Sequence, residues 1–340
     1  MSSLQNLLGD ATRQSYYPSN GRLNAAESNI SVNHTDQQRV ERSSADRELL
    51  LGRCDFLVES QLWPLERNLN YCGWLDNFSE NEMVFAEKLL TNFMYFSNEL
   101  TKHLFSFAFN RLTASICDLS EPANVCQEKW MEFRDSVVIT HVTGEDPSPT
   151  DSGYHFSRLS RQFLGLSSEQ IITNEEAVER LYFGDCSTVV FVDDFVGSGN
   201  QFCDTWDRTW TIATNNHQSF KRLVEDGHRP FQAFYCPVFC SWKGRDKIGR
   251  LAPQVRIKPA HDLDESYSVF SRNSRFWSPD LFDQAQEFLD KVSARAGLGQ
   301  DWRGFHNLGL GVAFEHGVPD ATLPIYYHES ANWLPLLRRT

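Results

Sequence analysis

Between Ser187 and Trp206 the chain reads STVVFVDDFVGSGNQFCDTW: an apolar run, two adjacent carboxylates, a glycine-containing loop and a segment of helical character. A run such as Thr188 to Val192, without polar alternation, belongs to a strand buried on both faces, and such strands sit in parallel sheets covered by helices. In open α/β sheets ligands bind beyond the carboxyl ends of the strands, which is where Asp193 and Asp194 are delivered. Two carboxylates there can accept hydrogen bonds from vicinal ribose hydroxyls, directly or through a hydrated cation. Gly197 and Gly199 permit a tight turn that presents backbone N–H groups. A helix starting near Asn200 points the positive end of its dipole at the same spot, so the loop suits a phosphate. The bland alternative, a core strand capped by a solvated acidic turn, leaves the glycine, serine, glycine order unexplained.

The same pattern extends along the chain. Apolar runs recur at 137–142, 231–239, 255–257, 310–314 and 323–327, separated by segments of helical character at 174–181, 200–213, 217–225 and 279–294. This alternation predicts an α/β fold with a largely parallel sheet flanked by helices. Upstream, Ser79 and Glu82 form a capping-box pair. Met83, Ala86, Leu89, Leu90, Phe93, Met94, Ser97, Leu100 and Leu104 then recur at helical spacing, which predicts one long helix. Residues 46–130 therefore read as a helical N-terminal lobe and 131–340 as the α/β domain. Residues 1–45, rich in Ser, Asn and Gln, read as a flexible polar tail, with a docking arm as the second reading.

Charge narrows the functions. Thirty-two Lys and Arg against forty-five Asp and Glu leave a net charge of −13, so no global positive field draws the chain onto nucleic acid or an anionic membrane. No window approaches the ~18 apolar residues of a membrane helix and the start of the chain does not read as a secretory signal, so a cytoplasmic location without membrane contact is expected. The eight cysteines include no CxxC pair. Cys236 and Cys240 fall in an apolar run and read as buried thiols rather than a metal or redox pair. No Ser/His/Asp or Cys/His set for nucleophilic catalysis stands out.

VVFVDDFVGSGNQ resembles the phosphoribosyl-pyrophosphate signature of type I phosphoribosyltransferases, in which a strand leads to paired acids and a small-residue loop. The resemblance implies that Asp193 and Asp194 face the ribose and a Mg²⁺ ion. It also implies that Gly197, Ser198, Gly199, Asn200 and Gln201 form the 5′-phosphate loop. Those enzymes usually carry Thr-Thr-Gly-Gly/Ala-Thr there, so Gly197 and Gln201 each replace a hydroxyl side chain and Ser198 is the one that remains. Their pyrophosphate is held after an early strand. Here the strand at 137–140 runs into His141, Thr143, Gly144 and a polar segment ending at Gly153. Ser152, Gly153, Arg158 and Arg161 can supply N–H, hydroxyl and guanidinium donors, although a surface loop with two solvated arginines fits the same residues.

A broader resemblance covers most of the chain from Trp74 onward. Trp74 to Phe78, the Asp151-Ser152-Gly153 loop, the acid pair, the stretch from Gly309 to Ile325 and Trp333 are similar to phosphoribosyltransferase-like proteins of bacterial conflict systems, including some encoded beside retron reverse transcriptases. This implies an antiphage effector that binds phosphoribosyl pyrophosphate or a nucleotide and acts at the ribose C1′, by transfer or glycosidic cleavage. Implied partners are a retron reverse transcriptase, its RNA or DNA, or a DNA-binding accessory protein, and an oligomer is compatible. The alternative is a catalytically inactive nucleotide- or partner-binding subunit. Two further features stay open: Trp242 with the cations from Lys243 to Arg250 reads as a solvated loop or a small phosphate patch, and His306 and His316 read as turn residues or general bases.

Overall fold

The computed structural model describes residues 46–64, 68–118, 120–144, 152–213, 216–227 and 229–339. The expected tail at 1–45 and residues 145–151 of the diphosphate segment expected over 145–153 lie outside the described residues. Helix α1 covers 46–59. It is followed by α2 (Tyr71–Leu75), α3 (Met83–Thr91), β1 (Met94–Phe96), α4 (Asn98–Asn110), α5 (Thr113–Ile116), α6 (Ala123–Ser136) and β2 (Val138–His141). Next come α7 (Ser152–Leu164), α8 (Asn174–Phe183), β3 (Thr188–Val196), α9 (Asn200–Asp207), the hairpin β4 (Trp210–Ala213) and β5 (Asn216–Gln218), and α10 (Phe220–Glu225). The chain continues through β6 (Gln232–Ser241), α11 (Trp242–Leu251), β7 (Val255–Ile257), β8 (His261–Leu263), α12 (Phe282–Arg295) and β9 (Val312–Phe314).

Strands β2, β3, β6 and β7 lie in that order and are parallel, with β8 joining the same edge of β6. The fold is thus α/β, a parallel sheet flanked by helices with a helical region before it. Side chains alternate along each strand. Val189 and Phe191 pack with Phe202 and Trp206 of α9 on one face, while Val190 and Val192 pack with Phe109 of α4 and Phe156 of α7 on the other. Both faces being covered explains why the β3 sequence is continuously apolar. Pro237 in the middle of β6 falls where the strand changes neighbour, from β7 through Tyr235 to β8 from Phe239, so its missing N–H breaks no regular ladder.

Four expectations are corrected. The single helix expected over 83–104 is two, α3 and α4, because Met94–Phe96 pairs in parallel with β9 as a separate two-stranded sheet. Asn92 caps the end of α3 and Ser97 restarts the chain by accepting from Leu100 N, so tertiary pairing overrides helical spacing at β-favouring Tyr95 and Phe96. The helix expected over 200–213 stops at Asp207, and Trp210–Ala213 turns back as the hairpin strand β4. Residues 323–327, expected as a strand, form a 3₁₀ turn at Pro324–Tyr326, where proline supplies the first helical position. The segment read as a solvated loop after Trp242 is helix α11, started by Ser241 accepting from Gly244 N at 3.1 Å. Among the described residues no helix is long and apolar enough to cross a membrane.

Candidate functional site

Strand β3 does not end before its acids: Asp193 pairs with Pro237, and Phe195 and Val196 with Phe239 and Cys240. Because the chain stays extended, the two carboxylates leave the strand on opposite faces. Asp193, 4% exposed, turns toward the face of α9. Its Oδ2 accepts from Tyr235 Oη at 2.8 Å and its Oδ1 from the Asp194 N–H at 2.9 Å. Burial, and then the neighbouring Asp194 charge, hold the Asp193 carboxyl well above the usual carboxylate range. Asp194 turns toward β9, where its Oδ2 lies 2.9 Å from His316 Nε2.

The loop after the acids is shaped by glycines at two points. Gly199 has φ +79°, the left-handed conformation, and serves as the N-cap of α9. Gly244 on α11 packs directly against the loop, since a Cβ there would meet Val196 Cγ1 at 2.6 Å and Gly197 O at 2.7 Å. Ser241 Oγ also donates to Gly197 O, tying the start of α11 to the loop. Ser198 Oγ accepts from Asn200 N at 3.3 Å. The loop therefore carries backbone donors and one hydroxyl at the positive end of α9, a site suited to an anion.

A cleft of about 440 Å³ opens over this edge of the sheet. The acids, Tyr235 and Gly197 to Gln201 line one side, and Phe305, Phe314 and the segment from His316 to Ala321 line the other. The tight turn after β9, with Phe314 N donating to Gly317 O at 2.9 Å, carries His316 over Asp194. Its ring stacks on Phe314 at 5.1 Å, and its Nδ1 is buried with no hydrogen-bond partner among the described residues. His155 of α7 lies beside it, ring centroids 5.8 Å apart, and has its pKa lowered by burial and then by His316 and Arg158. Phe305 stands 55% exposed at the cleft wall.

The structure brings Asp193, Asp194, Gly197, Ser198, Gly199, Asn200 and Gln201 together around this cleft. Ser152, Gly153, Arg158 and Arg161 lie on α7, and Gly153, Arg158 and Arg161 do not line the cleft among the described residues. Gly153 lets α7 approach β2, since a Cβ there would meet Val142 O at 2.5 Å; Arg158 and Arg161 are exposed. Cys236 and Cys240 are buried, with burial pushing the Cys240 thiol up to about 12. Sequence reasoning weighed His316 as a turn residue or base and missed its pairing with Asp194. The neighbouring apolar stretch from Leu310 to Phe314 was the available signal, because it implied a buried strand immediately before His316.

A parallel sheet with an acid pair and a glycine loop at its carboxyl edge is the arrangement that a phosphoribosyltransferase-like protein has. Residues 71–339 match PRTase-CE, a phosphoribosyltransferase-like family, and the chain belongs to that family. No curated protein matches it.

Proposed function

We propose that the cleft binds a phosphorylated ribose, as phosphoribosyl pyrophosphate or a nucleotide, and acts at C1′. The observation that carries this reading is one cleft lined by both Asp193–Asp194 and the Gly197–Gln201 loop, three residues apart along the chain and joined by a single strand end. The loop N–H groups and the α9 dipole hold the 5′-phosphate, and Asp194 accepts from ribose hydroxyls. At C1′ the bond to the leaving group breaks with its electron pair passing to that group. An acceptor or water forms the new bond and releases its proton to solvent. No protein nucleophile is required, because the site positions the ribose and stabilises developing positive charge. The cleft carboxylates offer the hard oxygen donors that Mg²⁺ takes, and Asp194, less deeply buried than Asp193, is the residue that would hold it. When bound, the cation would offset the negative charge of a departing diphosphate.

In its setting, the protein would act as an effector of a bacterial antiphage system, retron-associated in the reading that its resemblance supports, in the cytoplasm and with a reverse transcriptase or DNA-binding partner. A second reading, a binding subunit without turnover, is favoured by one observation: the Asp193 carboxyl is buried and engaged by Tyr235, which withdraws one acid of the pair from the ribose.

Calorimetry of phosphoribosyl pyrophosphate and nucleotides, with and without Mg²⁺, tests the site on the native protein and on Asp193→Asn/Asp194→Asn. Binding that needs Mg²⁺ and is lost in the variant supports it, and no binding to the native protein removes it. Release of free base or pyrophosphate from a bound ligand separates the enzyme from the binding subunit.

A further inference from the structure

The cations of α11 take no part in the reading above, and they divide into two pairs. Arg245 pairs with Asp262, and Arg250 with Asp246. Of Lys243 and Lys247, one helical turn apart, Lys247 reaches the phosphate loop and Lys243 the 306–307 turn, and their hydrogen bonds go to neutral oxygens, with Lys243 also 5.6 Å from the Trp242 ring centroid. Lys247 Nζ donates to Asn200 Oδ1 at 2.5 Å, and Lys243 Nζ to the His306 carbonyl at 2.8 Å and the Asn307 carbonyl at 3.5 Å. Neither lysine has a carboxylate partner among the described residues. The two anchor points are themselves linked, since Asn200 Nδ2 lies 3.3 Å from His306 Nε2. Asn200 belongs to the cleft lining, so the Lys247 ammonium stands at the rim of the site, and the His306–Asn200 contact ties the segment held by Lys243 to the same point.

This arrangement is held in place from two sides. The contact of Gly244 with Gly197 leaves no room for a side chain between α11 and the loop, so the helix carrying both lysines is fixed beside it. His306 (φ 55°) and Asn307 (φ 53°) are consecutive non-glycine residues in the left-handed conformation, which L-residues disfavour and which tends to persist where it serves a site. Their carbonyls are the ones that Lys243 holds. An ammonium has three donors, and phosphate oxygens are stronger acceptors than the amide and carbonyl oxygens occupied here. A lone 5′-phosphate, met by the loop and the α9 dipole, would leave both ammonium charges without an anion.

We propose that Lys243 and Lys247 form a subsite for a second phosphate, so that the cleft takes a nucleoside 5′-diphosphate. The inference rests on the phosphorylated-ribose reading of the cleft and specifies its substrate class.

The test is calorimetry of AMP, GMP, CMP and UMP against the corresponding diphosphates. It uses the native protein, Lys243→Met/Lys247→Met and Asp193→Asn/Asp194→Asn. At least one diphosphate is expected to bind the native protein about tenfold more tightly than its monophosphate, as added charge-assisted hydrogen bonds provide. In the lysine variant that preference should fall to about twofold or less, with monophosphate affinity kept, and the diphosphate's salt dependence should flatten. The single variants Lys243→Gln and Lys247→Gln, each expected to lower the preference about threefold, serve if the double variant does not fold. Equal affinity of native protein for mono- and diphosphates, or a preference that survives loss of the lysines, overturns the subsite while leaving the ribose site intact. Absence of any nucleotide binding to the native protein overturns the subsite, and absence of phosphoribosyl pyrophosphate binding as well overturns the ribose site with it.

Discussion

His316 and Asp194 meet at 2.9 Å although 122 positions separate them in the chain. The contact joins the turn after β9 to the end of β3, and so fixes one carboxylate of the cleft from the opposite wall. With Nε2 against Asp194 and Nδ1 buried, His316 is placed to position that carboxylate.

Replacing that contact should therefore alter ligand affinity more than fold stability. His316→Phe keeps an aromatic ring for stacking on Phe314 and removes the donor; ligand binding is expected to weaken by about tenfold, the equivalent of one charge-assisted hydrogen bond. His316→Gln retains an amide donor of similar reach and should recover most of the affinity. Equal weakening in both variants, measured by calorimetry, would count against positioning.

Asp193 gives the protein a pH signature. Its carboxyl is held well above its ordinary value of 3.8 by burial and by Asp194, so the folded state keeps a proton that the unfolded chain has lost. The associated stability is present below the ordinary carboxylate range and declines as pH rises through the native pKa. Asp193→Asn abolishes the titration, and urea unfolding between about pH 4 and about pH 8 should show a flatter decline than in the native protein. Parallel curves would mean that Asp193 ionises normally.

Gly244→Ala is expected to damage loop and fold together. The added methyl would press on Val196 and the Gly197 carbonyl at under 3 Å, and overpacking of this kind costs about 1–3 kcal/mol. Denaturant unfolding should report that loss, alongside weaker ligand binding because the anion loop is displaced. Gly249→Ala, on the same helix but with open space around it, is the control expected to change neither.

A fourth prediction concerns the start of α3. Glu82 completes the capping box with Ser79 and receives both guanidinium branches of Arg295, at 2.9 Å each. Burial opposes its ionisation, but the Arg295 and Ser79 hydrogen bonds outweigh it and lower its pKa. The contribution is thus present above the ordinary Glu value and lost as pH falls through the lowered native pKa. Glu82→Gln should destabilise by about 1 kcal/mol at neutral pH, with the difference shrinking in acid.

The β3 motif was legible because three local signals coincide: an apolar run, acids at its end, and glycines before a helix. What local pattern missed was the fate of segments whose partners lie far away. Met94 to Phe96 fits a helical repeat, and only β9, remote in sequence, turns it into a strand. Helix α11 was hidden by Gly244 and Gly249, which lower helical propensity; one of them is required by the approach to Gly197. The divergence of Asp193 and Asp194 was likewise unreadable, since it depends on β3 remaining paired with β6 beyond the acids.

The pairing of β1 with β9 also bears on when the cleft exists during synthesis. Asn98 N donates to Glu315 Oε2 at 2.6 Å across 217 positions, beside the ladder that holds the His316 turn in place. A ribosome-bound chain that has emerged only through β6 already contains the acids and the anion loop, yet has no opposite wall. Closure of so long a loop is slow relative to local folding. The nascent polypeptide thus passes through a stage in which the acid pair and the glycine loop are present without the second wall of the cleft.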